Sequence, residues 1–157
     1  MDLNFNDMEF RIRPKKDDVV NTNWEDIHKL IRHWESEMEF YNDEVRFLTI
    51  LFEKYFTAMV ERENIEATKA VAASLTELDE MRSTLEERLY SVDKQVGTLA
   101  AKGDLTEQET MVARNDYQLL EDDLAAFVQK FRALKSTVFQ LTERIAKTER
   151  AKHLISE

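Results

Sequence analysis

From Trp24 to Met59 the apolar residues Trp24, Ile27, Ile31, Trp34, Met38, Tyr41, Val45, Leu48, Phe52, Tyr55 and Met59 follow one another at alternating spacings of three and four. That is a heptad seam, the pattern that keeps one stripe of a long helix facing its neighbours. A second seam runs through Val71, Leu75, Leu78, Arg82, Leu85, Leu89, Val92, Val96 and Leu99, with one charged residue in it. A third comprises Tyr117, Leu120, Leu124, Phe127, Phe131, Leu134, Val138, Leu141 and Ile145, and turns polar afterwards.

The breaks between seams are as informative as the seams. Carrying the first register past Met59 predicts seam residues at Glu66 and Ala73, whereas the second seam falls on Thr68 and Leu75. A coiled coil absorbs insertions equivalent to three or four residues by winding changes, and a shift of two fits neither. The chain therefore reverses near Glu61 to Glu66, with Asn64 suited to the turn or cap. Gly103 ends the second helix by supplying a left-handed residue. Thr22-Asn23-Trp24-Glu25 and Thr106-Glu107-Gln108-Glu109 read as capping boxes that open the first and third helices.

These signals predict an all-α, antiparallel three-helix bundle of long coiled-coil-like helices over residues 22–157, with helices at about 23–62, 66–102 and 106–155. Folding at the two breaks levels Leu99 with Thr110, Leu89 with Leu120, Leu78 with Phe131 and Val71 with Val138. Residues 1–21 form a flexible or loosely docked N-terminal arm, in which Met8, Phe10 and Ile12 alternate with charged residues before the basic "RIRPKK".

If seam positions are a and d, Phe40 and Phe47 occupy c, and Ile50 occupies f, all of which should face water. The third helix repeats this with Leu119 and Ala126 at c and Phe139 at b, while the second helix is polar outside apart from Tyr90. Helices one and three run parallel, and the register places Phe40 near Leu119 and Phe47 near Ala126. An exposed apolar groove of this kind marks an interface. Covering three such side chains would contribute on the order of 5 to 8 kcal/mol before ordering costs. The expected cover is a second copy, giving a homodimer through identical patches; the N-terminal arm or another protein's helix are the alternatives.

Composition narrows the function classes. The 157 residues hold two Gly, one Pro and no Cys, and 32 acidic against 22 basic side chains give a net charge of −10. Nucleic acid and anionic membranes are disfavoured as partners. Thiolate and disulfide chemistry have no residue to use. No signal-peptide order and no long apolar run occur, so the expectation is a cytoplasmic protein.

Candidate chemistry is sparse. Glu25 and His28 have the E-x-x-H spacing of carboxylate-bridged metal bundles, which need further such motifs, and the chain has three His in all. A carboxylate/His metal-binding bundle or enzyme is thus the alternative to a non-catalytic interaction or scaffolding protein with no catalytic residues, metal or cofactor. Arg82, a charge in the second seam, is expected at the core margin in an ion pair with Glu44, Asp122 or Asp123.

Overall fold

The computed structural model describes residues 24–103 and 105–156, with side chains described through Lys152. Three helices pack against one another: α1 (Trp24–Arg62), α2 (Ile65–Lys102) and α3 (Glu107–Ser156). At about 1.5 Å per residue each is long, α3 extending about 75 Å. The N-terminal arm and Thr22 of the first capping box lie outside the described residues.

The reversal between α1 and α2 falls at Glu63 and Asn64. Asn64 caps α2: its Oδ1 accepts from the Glu66 amide at 2.8 Å, and its carbonyl accepts the first helical bond from Thr68 N at 3.0 Å. A side-chain oxygen there satisfies an amide that the first turn leaves without a partner. Gly103 closes α2 at φ 77°, the left-handed region that costs glycine little. At α3, Thr106 Oγ1 accepts from Glu109 N at 3.1 Å and its hydroxyl donates to Glu109 Oε1 at 3.0 Å. Lys102 and then Thr106 donate to the Glu109 carboxylate and hold its pKa below the usual value.

The core follows the three seams. Every α1 seam residue from Ile27 to Met59 is buried except Tyr55, and on α2 only Arg82 departs from burial between Val71 and Leu99. On α3, Leu134 and Leu141 are half-buried and the other seam residues buried. Full burial of such side chains contributes roughly 1.5–3 kcal/mol each, which is why the seams dominate the fold. The buried Glu121 and Thr142 lie outside the seams, and the buried Thr68 belongs to the α2 register.

The helices contribute to two compact units. The first takes in α1 as far as Tyr41 together with Met81–Phe127. Its centre is aromatic: Trp34 stacks on Tyr117 with ring centroids 5.3 Å apart, and Tyr41 meets Phe127 edge-on at 5.5 Å. Arg88 pairs with Asp123 and Lys102 with Glu109 between α2 and α3, within about half a turn of the expected levels. The second unit comprises Asn42–Glu80 and α3 from Val128 onward. There the α1–α2 turn is clamped to α3 by Arg62–Glu149 at 2.8 Å and Arg144–Glu63 at 3.2 Å. Beyond Glu149, Arg150 to Lys152 are exposed.

One register expectation is corrected. Levelling Phe40 with Leu119 would set Tyr41 against Leu120, yet Tyr41 meets Phe127, the same seam position one heptad further along α3. Trp34 likewise lies about one turn further along, against Tyr117. A slide of one to two turns along the axis keeps the seams facing inward, so hydrophobic periodicity alone cannot distinguish the two registers. Ring packing decides between them, because flat aromatic faces must meet flat or edge-on partners.

Candidate interaction surface

The outward positions of α1 and α3 carry large apolar side chains in both units. In the first unit Phe40 is 49% exposed and Leu119 51%, and Ala126 is also exposed. In the second unit Phe47 is 54% exposed, Ile50 58% and Phe139 40%. Phe40 and Phe47, two turns apart on α1, point to the same side of that helix. None of the six is drawn into the core, so helix rotation does not account for them.

Two features were not legible in the apolar pattern. Phe56 is 43% exposed and leans edge-on against Phe52 at 5.8 Å. It extends the outward apolar surface of the second unit. In the same unit Lys135 of α3 reaches Glu44 of α1 at 3.3 Å, and its ammonium lies 5.7 Å from the Phe131 ring and 5.5 Å from Phe139. The groove is therefore bridged by a charge pair rather than apolar throughout. Its Lys–Glu reach could have been anticipated only with the correct register.

Apolar exposure also occurs at helix starts, at Ile65 on α2 and Met111 and Val112 on α3. Tyr90, the lone outward aromatic of α2, is exposed, with Lys94 Nζ 4.5 Å from its ring centroid. The α2 face is otherwise polar, so the asymmetry expected between α2 and the other two helices is present.

Arg82 stands at the core margin with its side chain 13% exposed and pairs with Glu86 one turn along its own helix at 2.9 Å. Of its three expected partners, Glu44 pairs with Lys135 and Asp123 with Arg88, while Arg82 and Asp122 each make a further interaction. A short i,i+4 partner lets the guanidinium reach the edge of the bundle while its stem stays in the seam.

Glu25 is exposed at the start of α1, where its charge favours the helix dipole. His28 turns to α2, with Nε2 2.7 Å from Asp93 Oδ1. Among the described residues, no three His, Asp or Glu side chains are placed to hold a metal ion, and no helix is long and apolar enough to cross a membrane. His33 lies 4.0 Å from Glu37 within α1. A shallow depression lined by Arg88, Ser91, Val92, Gln95, Asp116 and Leu119 lies between α2 and α3 of the first unit, so Leu119 sits on the α2 side of α3 and not in the α1–α3 groove expected for it. Comparison with protein-family models, curated proteins and solved structures finds no match to this chain.

Proposed function

We propose that this protein is a non-catalytic helical interaction or scaffolding module that forms a homodimer through the outward faces of α1 and α3. The observation that carries the reading is the exposure of Phe47, Ile50 and Phe139 in the second unit, at 54%, 58% and 40%. Large apolar side chains at that exposure, on helices whose seams are already satisfied, leave about half of their surface uncovered by the chain that bears them.

The area favours a second copy as the cover. With each side chain offering roughly 100 Å², about half of what an aromatic can bury, the three present on the order of 300 Å² of apolar surface. A standard interface buries about 800 Å² per partner, of which roughly 60% is apolar. The three supply more than half of that apolar share. Two-fold symmetry also lets one set of residues serve both sides, so no second complementary patch is required.

Light scattering on the purified protein tests this, with Phe47→Glu as the variant. The wild type is expected at twice the chain mass and Phe47→Glu at the chain mass with unchanged helical circular dichroism. A monomeric wild type, or a variant whose mass does not change, contradicts the reading.

A further inference from the structure

In the second unit a lysine ties the outward face to the core. Lys135 Nζ of α3 donates to Glu44 Oε2 of α1 at 3.3 Å, with the two side chains 40% and 26% exposed. The same ammonium lies 5.7 Å from the ring centroid of Phe131 and 5.5 Å from that of Phe139, both within the range of a cation–π contact. Phe131 stands one turn before Lys135 and Phe139 one turn after it, so the three share one side of α3. Phe131 is buried and Phe139 exposed.

The two rings differ in what holds them. A lysine on an open helix face is a point charge on a flexible stem and samples many rotamers. Here a carboxylate from another helix and a buried ring hold the ammonium from two sides, so its place is set from within the bundle. Phe139 is in the opposite position. Its carbonyl accepts from the buried Thr142 hydroxyl at 3.1 Å, which ties its backbone, but its ring stands outside the core. Side chains on a helix lean back over the preceding turn. For Phe139 that turn carries the ammonium, which favours the ring orientation that keeps the aromatic face against it.

We propose that Lys135 is a positioning residue of the outward face: pinned between Glu44 and Phe131, it holds the Phe139 ring in the orientation that a second copy meets. The partner's identity rests on the homodimer reading above, whereas the positioning rests on these four side chains alone. Ordering an exposed ring before association removes part of the cost of binding, and two-fold symmetry counts that gain once in each copy. Neutralising either charge acts on the face twice. The ammonium is no longer held against the ring, and the remaining charge loses its partner where a second copy excludes water.

The test is fluorine NMR of the full chain carrying 4-fluorophenylalanine at position 139, paired with sedimentation velocity on the unlabelled protein, for Lys135→Met, Lys135→Arg and Glu44→Gln. The fluorine spectra are recorded in the Phe47→Glu background at a concentration where sedimentation shows a monomer, so that they report the ring and not association. Lys135→Met keeps the stem without the charge, and Glu44→Gln releases the ammonium. Each is expected to move the 139 resonance toward that of free 4-fluorophenylalanine and to weaken the dimer by about fivefold to thirtyfold, one ring contact being lost in each copy. Lys135→Arg, which keeps a cation able to pair with Glu44 and stack on the ring, is expected to restore both readouts. A 139 resonance that Lys135→Met and Glu44→Gln leave in place overturns the positioning role, whether or not the chain dimerises. So does a dimer as tight in those two variants as in the wild type. A monomeric wild type contradicts the homodimer reading instead, and the fluorine resonance still decides the role of Lys135.

Discussion

Single residues decide where each helix begins and ends. Asn64 is the sharpest case, since its side chain and carbonyl both serve the first turn of α2 at the reversal. Removing an N-cap oxygen costs about 1 kcal/mol. Urea unfolding of Asn64→Ala should show that loss, whereas Asn64→Asp, which keeps an acceptor, should stay near wild type. Equal losses for the two variants would mean that the cap oxygen is not what fixes the turn. Asn64 and Gly103 were legible in the sequence because a turn chemistry and a left-handed φ each demand particular residue types. Glu121 was not. It is 7% exposed on α3, beside the seam residue Leu120, and nothing in a heptad pattern marks which flanking charge a neighbouring helix will cover.

At the scale of elements, the seams located all three helices and their buried faces but not the slide of α1 along α3. Sequence periodicity fixes rotation about a helix axis and leaves translation along it open by one or two turns. The translation is set by aromatic contacts, Trp34 on Tyr117 and Tyr41 on Phe127. Polar partners across helices depend on that slide to within a turn. This is why Lys135–Glu44 and His28–Asp93 could not be read in advance, while the outward positions of Phe40 and Phe47, which depend on rotation alone, could. A double-mutant cycle on Trp34 and Tyr117 checks the register: stacked rings couple by about 0.5–1.5 kcal/mol beyond area burial. The same cycle on Trp34 and Ile145 should give no coupling. An uncoupled Trp34–Tyr117 pair would place α1 elsewhere along α3.

For the whole molecule, the proposed homodimer brings two like-charged copies of an acidic chain together to cover its apolar face. The net charge is −10, so long-range repulsion opposes association, and salt at about 0.15 M confines it to roughly 8 Å. The dimer should therefore tighten as ionic strength rises, opposite to an assembly held by complementary charges. Dissociation on adding salt would assign the interface to ion pairs instead. The Lys135–Glu44 pair is internal to one copy and is expected to survive the association, orienting Phe139 beside it rather than bridging partners.

The location of the interface is the central claim, and sedimentation velocity on two charge insertions tests it directly. Phe47 of α1 and Tyr90 of α2 are both exposed aromatics, at 54% and 60%, so Phe47→Glu and Tyr90→Glu perturb folding comparably. The account predicts that Phe47→Glu sediments as a monomer while Tyr90→Glu remains a dimer like the wild type. A dimer that persists in Phe47→Glu and is lost in Tyr90→Glu would contradict it.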